Sequence, residues 1–128
     1  MADTSSPAAL VVARSTDDRI LLRALLRIHH LPVVGEAEGT TQARPFLRQG
    51  ALTHVVADAN IADGTIAELV AEVHHTLPVA RVVVLTHPGE RVPDLPDGAG
   101  PRVVRLVRPF RFSQFAEALG VSSPGTGR

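Results

Sequence analysis

The 128-residue sequence predicts an α/β protein built on a parallel sheet, and two kinds of segment lead to this prediction. Short, continuous apolar runs, typical of strands buried on both faces, alternate with longer segments whose apolar residues recur at helical spacing. Alternation of strand and helix gives a parallel sheet that is covered by helices on both of its faces. The length fits one domain with one core.

The first half of the chain contains three predicted strands and two predicted helices. The strands are the apolar runs at 8–12, 32–35 and 52–57. The first helix is predicted over Asp17–His29, and we expect its buried stripe to consist of Ile20, Leu21, Ala24, Leu25 and Ile28. Asp17 and Asp18 are interpreted as acids that favour the start of this helix. The second helix is predicted from about Thr40 to Arg48 and is ended by Gly50.

The second half of the chain continues the alternation but lacks one helix. A helix is predicted over 64–75, strands over 79–85 and 103–107, and a last helix over 112–119, stopped by Gly120. The segment between the last two strands, THPGERVPDLPDGAGPR at 86–102, holds four prolines and three glycines. These residues disfavour a regular helix, so we expect the fourth helix of the alternation to be shortened to at most one turn or replaced by a loop. We expect the domain to span 8–120, with disordered ends at 1–7 and 121–128.

Composition excludes several classes of function. The formal net charge is zero, and Phe is the only aromatic residue, with four copies, which argues against nucleic-acid binding by this domain. No apolar run is long enough to span a bilayer, and the N-terminus has no secretory pattern, so we predict a cytoplasmic protein without membrane contact. The absence of cysteine removes thiol catalysis and thiolate metal sites. The basic residues are all arginine.

Three polar residues follow predicted strands on the same edge of the sheet. Asp58, Thr86 and Arg108 directly follow the third, fourth and fifth predicted strands. Ligand sites of open α/β sheets lie at the carboxyl ends of the strands, so these side chains are candidates for one site.

The motifs around these residues resemble those of response-regulator receiver (CheY-like) domains. DANIADG at 58–64 is similar to the phosphoacceptor loop, VVVLTHP at 82–88 to the strand ending in the switch residue, and RLVRPF at 105–110 to the strand ending in Lys-Pro. LPVVGEAEG at 31–39 resembles the second strand of receivers in LuxR/NarL-type regulators. The resemblance implies a flavodoxin-like, doubly wound five-stranded sheet of order 2-1-3-4-5. It also implies Asp58 as phosphoacceptor equivalent and Thr86 as switch equivalent.

The sequence departs from the receiver pattern at several positions. The family's acidic pair, which holds Mg²⁺, aligns with Ala13 and Arg14, so we expect Mg²⁺ binding to be lost and predict no other metal or cofactor. The aromatic switch position is Arg105, and the family's lysine is Arg108. Our hypothesis is that Arg108, Arg14 or both supply permanent positive charge beside Asp58.

We therefore predict an atypical (pseudo-)receiver domain of a bacterial signalling or transcription regulator, and not an enzyme. It would act through a protein partner, a homodimer or a small-molecule ligand. Two alternatives stay open at this point: a receiver still phosphorylated on Asp58, and a small flavodoxin-like protein that binds an anionic metabolite.

Overall fold

A computed structural model describes residues 6–92 and 102–121, which form nine regular elements. The strands are β1 (Ala9–Val12), β2 (Val33–Ala37), β3 (His54–Asp58), β4 (Arg81–Thr86) and β5 (Val103–Val107). The helices are α1 (Thr16–Ile28), α2 (Thr40–Gln49), α3 (Ile66–Thr76) and α4 (Phe112–Leu119). Gly50 and Gly120 end α2 and α4 with φ of 76° and 77°, as predicted, because glycine adopts the left-handed conformation at little steric cost.

The strands form one parallel sheet of order β2-β1-β3-β4-β5, which confirms the predicted fold class and strand order. The three central strands are almost entirely buried, as their continuous apolar sequence indicates. β1 pairs with β3 from Ala9–His54 to Val12–Ala57, and β3 pairs with β4 up to Asp58–Leu85. From β1 the chain continues to β2 on one side of the sheet, and from β3 it continues to β4 on the other, so the direction of the strand order reverses between β1 and β3. The carboxyl edge of these two strands is therefore the place where a site is expected.

Each face of the sheet carries its own core. Successive strand residues point to opposite faces, so Val55 and Ala57 pack with α2 and α3, whereas Val56 packs with α1 and α4. The largest buried side chain, Phe115 of α4, lies in the second of these cores. Two helices cover each face of the sheet. The polar groups at its carboxyl edge are therefore the candidates for a functional site.

The predicted stripe of α1 is wrong in part. The buried residues are Leu22, Leu25 and Leu26, whereas Ile20 and Leu21 are 60% and 47% exposed. The apolar residues of α1 cover more than one face, so helical spacing alone permitted two rotations of the helix, and packing against the sheet selected the second. This rotation has consequences both for the site and for the molecular surface.

No helix occurs between β4 and β5 among the residues that are described there, 87–92 and 102. A turn runs from His87 to Glu90, whose backbone N–H donates to the carbonyl of His87. The rest of the predicted loop, 93–101, lies outside the described residues, as do most of the two segments predicted to be disordered, at 1–5 and 122–128.

Within the described ranges, no helix has the length and apolar character needed to cross a membrane.

Candidate functional site

Asp58 lies at the carboxyl edge of the sheet and is the most buried acid of the site, with 3% exposure. It is the last residue of β3, so the strand itself places its carboxylate. Oδ1 accepts a hydrogen bond from the backbone N–H of Asn60 (2.8 Å), and Oδ2 accepts one from Nη2 of Arg108 (2.8 Å). Both carboxylate oxygens are therefore engaged, and the buried charge is compensated.

Arg108 is held in place by the sheet. It follows β5, and its backbone N–H donates to the carbonyl of Thr86 at the end of β4 (2.8 Å). Its side chain is 15% exposed and reaches across β4 to Asp58, while Nη1 lies 3.6 Å from Oδ1 of Asp18. The Arg108 guanidinium therefore links two carboxylates, one on β3 and one on α1, inside a largely desolvated edge of the sheet. Among the described residues, the buried Nε of Arg108 has no hydrogen-bond partner.

Asp18 is the site residue that the sequence interpretation missed. Asp18 does serve the start of α1, because its backbone N–H donates to Oγ of the N-cap residue Ser15 (3.2 Å). Its carboxylate, however, points toward the sheet edge and Arg108. The observed buried stripe contains Leu22 and Leu25, which lie four and seven residues after Asp18, so Asp18 extends this stripe by one turn. Because the predicted stripe did not include Leu22, the position of Asp18 on the buried side of the helix was not recognised from the sequence.

The positions aligned with the family's acidic pair offer no carboxylate. Val12 pairs with Ala57, so Ala13 follows beside Asp58 at the same edge, and it presents a fully buried methyl group. Arg14 is exposed and lies at the rim of a cleft of about 280 Å³, which is also lined by Ser15, Asp18, Asp58, Ala59, Asn60, His87 and Glu90. No hydrogen bond or ion pair within the described residues involves the guanidinium of Arg14. The contact with Asp58 is made by Arg108.

The two switch-equivalent residues lie on neighbouring strands. Thr86 ends β4 with 2% exposure, beside the backbone of Arg108. Arg105 lies in β5, in register with Val84, and is exposed. An exposed guanidinium on the edge strand cannot be buried and released at low cost as an aromatic ring can, since a desolvated charge is expensive. Their roles in switching remain predictions.

The end of the loop DANIADG has a structural task. Oδ2 of Asp63 accepts hydrogen bonds from the hydroxyl and the backbone N–H of Thr41, at the start of α2. The N-cap of α2 is Gly39, which has no side chain to cap the helix, so Asp63 performs the capping from another loop. A Cβ at Gly39 would lie 1.9 Å from Oδ1 of Asp63, which is why glycine is needed there. Asp63 thus fixes the loop that carries Asn60.

We predict a pH-dependent effect of Asp63→Asn on stability. The hydrogen bond from the Thr41 hydroxyl, which is the main cause, lowers the pKa of Asp63 below its ordinary value. A carboxylate with a lowered pKa in the folded state stabilises the fold above its unfolded-state pKa of about 3.9, and this contribution is lost as the pH falls through the folded-state pKa. Asp63→Asn should therefore unfold at a lower urea concentration than the unmodified chain at pH 7, and the difference should shrink below about pH 4. Glu117→Gln, an exposed substitution on α4, is the control and should show a small difference at every pH; equal differences for Asp63→Asn at both pH values would contradict the prediction.

The strand order, the two helices on each face and the acid at the end of the third strand define a class of fold: the chain has the fold of response-regulator receiver domains. No protein-family model matches the sequence, and no curated protein is significantly similar to it in sequence. The similarity is therefore one of structure.

Three solved structures illustrate this similarity. The crystal structure of a response regulator receiver protein from Sinorhizobium medicae has a TM-score of 0.76 and 15% identity, over 90% of this chain and 92% of the other. RcsB from Salmonella enterica, bound to promoter DNA with the phosphomimetic BeF₃⁻, has a TM-score of 0.70 and 18% identity, over 93% of this chain and 69% of the other. A response regulator from Burkholderia pseudomallei with a phosphorylated aspartic acid, a calcium ion and citrate has a TM-score of 0.73 and 20% identity. The match covers 88% of this chain and 66% of the other.

Proposed function

We propose that this chain is an atypical receiver domain of a bacterial signalling or transcription regulator, which works through interaction with a protein or a ligand and without Mg²⁺-dependent phosphorylation. The observation that carries the proposal is the buried ion pair between Nη2 of Arg108 and Oδ2 of Asp58, 2.8 Å apart, beside the methyl group of Ala13. We place the protein in the cytoplasm, as its sequence predicts.

The donor set at the cleft does not fit Mg²⁺. Mg²⁺ requires octahedral oxygen ligands and is usually held by one or two carboxylates together with waters and phosphate oxygens. Of the carboxylates here, Asp58 and Asp18 both face the Arg108 guanidinium, and Glu90 accepts a hydrogen bond from the backbone N–H of His87. Ala13 contributes no carboxylate. Within 6–92 and 102–121, no group of three or more His, Cys, Asp or Glu side chains could hold a metal ion. We therefore derive no step through a metal at this site.

Without a bridging cation, phosphoryl transfer to Asp58 is disfavoured. Phosphoryl transfer brings an anionic phosphoryl donor to a carboxylate. The negative charge on the attacking and leaving oxygens has to be stabilised as the transfer proceeds. Oδ2 of Asp58 already accepts a hydrogen bond from the Arg108 guanidinium, and Oδ1 accepts one from the backbone N–H of Asn60. The related fold from Burkholderia pseudomallei carries its phosphorylated aspartic acid together with a calcium ion, a combination that the donors here do not support.

One observation favours the alternative of a receiver that is still phosphorylated. Asp18 and Glu90 also line the cleft, so a movement of Arg108 would expose Asp58 and Asp18 to a divalent cation beside a third carboxylate. The alternative therefore differs from our proposal in a measurable way, namely in whether Asp58 is modified in the presence of Mg²⁺.

The test is incubation of the chain with Mg²⁺ and acetyl phosphate, followed by intact-mass measurement, and in parallel with Mg²⁺ and beryllofluoride, followed by NMR spectroscopy. We expect no phosphoryl adduct and no beryllofluoride-dependent shift of the resonances of residues around Asp58. Asp58→Asn serves as the matched blank, because it keeps the shape of the side chain and removes its charge. Stoichiometric modification that disappears in Asp58→Asn would overturn the proposal and establish the alternative.

A further inference from the structure

Exposed apolar side chains gather along α1 and at the start of α4. Ile20, Leu21 and Ile28 are 60%, 47% and 40% exposed, and Phe112 is 53% exposed. Ala24 is also exposed and lies between Ile20 and Ile28, four residues from each, on the same side of the helix. We call these five residues the α1 face. The ring of Phe112 lies 6.2 Å from that of His29, which directly follows Ile28, so the face is continuous from α1 to α4.

The other exposed flank of α1 is committed to the sheet. Nη1 of Arg23 lies 2.8 Å from Oε2 of Glu36 in β2, and Nε of Arg19 lies 3.7 Å from Oε1 of the same residue. These contacts and the buried leucines fix the rotation of the helix, so its apolar flank has to face outward. Exposed apolar residues are ordinary when they are scattered, whereas a cluster on one face indicates a surface that another molecule covers.

We propose that the α1 face is a homodimer interface, in which α1 of one copy packs antiparallel on α1 of a second copy about a twofold axis near Ala24. In this arrangement Ile20 packs against the partner's Ile28, and the small Ala24 at the centre allows the two helices to approach closely. A twofold axis makes the interface self-complementary, since every contact occurs twice. The inference goes beyond the proposed function and does not depend on the state of Asp58.

Charge complementarity favours a second copy of this chain as the occupant. Asp17 lies at the N-terminal end of the α1 face and Arg27 at its C-terminal end, and neither forms an ion pair with another described residue. With the axis near Ala24, Asp17 of one copy lies about one helical turn, roughly 6 Å along the axis, from the partner's Arg27, and the long arginine side chain can span this distance. The contact occurs twice per dimer, and antiparallel packing also aligns the two helix dipoles favourably. The net charge of zero removes long-range repulsion between copies. A nucleic acid or an anionic membrane would instead require an excess of basic residues.

The chain contains no cysteine, which allows a direct test by cross-linking. Ala24→Cys places one thiol near the proposed axis, and Val79→Cys places one at a site that is 74% exposed and lies outside the α1 face. A short bismaleimide should convert most of the Ala24→Cys protein to a covalent dimer and little of the Val79→Cys protein. Equal cross-linking of the two variants would overturn the proposed axis.

Sedimentation of the full chain provides the second test. We expect a concentration-dependent dimer, whose dissociation constant rises at least about tenfold in Ala24→Arg. Asp17→Arg and Arg27→Asp should each weaken the dimer, and the combined variant should recover most of the loss, because the two charges are exchanged. A chain that stays monomeric, a dimer that Ala24→Arg leaves unchanged, or a combined variant that is weaker than both single variants would each overturn the antiparallel arrangement.

Discussion

Arg108→Met should lower the free energy of unfolding by about 3 kcal/mol, because it leaves the buried carboxylate of Asp58 without its positive partner. Removal of one member of a buried ion pair costs roughly 3–5 kcal/mol. We expect the lower end of this range, because the Arg108 side chain retains 15% exposure and water can partly replace it. Methionine keeps most of the aliphatic volume of arginine, so the loss reports the charge and its hydrogen bonds. Urea denaturation at neutral pH gives the value.

Two further variants decide whether the loss arises from the pair. Asp58→Asn combined with Arg108→Met should be more stable than Arg108→Met alone, because no unpaired charge is then buried. Arg44→Met is the matched control, since Nε of Arg44 lies at the same 2.8 Å from Oε2 of Glu72 but in an exposed pair. It should lose much less stability than Arg108→Met. Equal losses for Arg44→Met and Arg108→Met would show that burial adds nothing to the Asp58 pair.

Restoration of the acidic pair should convert the domain into one that accepts a phosphoryl group. The variant combines Ala13→Asp, Arg14→Asp and Arg108→Lys. Its two new carboxylates join Asp58 at the edge of the sheet, and a compact lysine ammonium group replaces the guanidinium that faces Asp58. Three carboxylates together with water supply the oxygen ligands that Mg²⁺ requires. We expect Mg²⁺-dependent addition of one phosphoryl group from acetyl phosphate, where the unmodified chain shows none, as measured by intact mass.

The controls for this variant separate loss of fold from loss of chemistry. Adding Asp58→Asn to the same background should abolish the adduct while Mg²⁺-dependent stabilisation of the fold persists in part. If the buried Ala13→Asp prevents folding, as judged by circular dichroism, Arg14→Asp alone remains usable, because residue 14 is exposed. It should raise Mg²⁺ affinity above that of the unmodified chain. Folded variants that bind no Mg²⁺ would show that the acidic pair is not what this site lacks.

The elements of the fold were largely predictable because their signals are local. The continuous apolar runs identified all five strands, and Gly50 and Gly120 marked two helix ends correctly. The position of Asp58 at the end of β3 followed from the same pattern, because an acid directly after a buried run ends the strand at a sheet edge. In these cases each residue's role depends on its immediate neighbours in the chain.

The rotation of α1 shows where such reasoning ends. The apolar residues of α1 can form two different helical faces, and the predicted stripe combined parts of both. These residues are Ile20, Leu21, Leu22, Leu25, Leu26 and Ile28. Only contact with the sheet and the salt bridges to Glu36 choose between them. The incorrect choice hid Asp18 from the site and concealed the exposed α1 face, so one local ambiguity affected both conclusions.

The sequence by itself determined the order of the elements, the parallel sheet and the acid at the end of β3, since hydrophobic periodicity and glycine placement act over a few residues. Tertiary structure decided that Arg108, fifty residues from Asp58, makes the 2.8 Å contact, while Arg14 lies at the rim of the cleft. It also decided that Asp18 joins them. Partners at a sheet edge are set by strand order and helix rotation, and these depend on how the whole core packs.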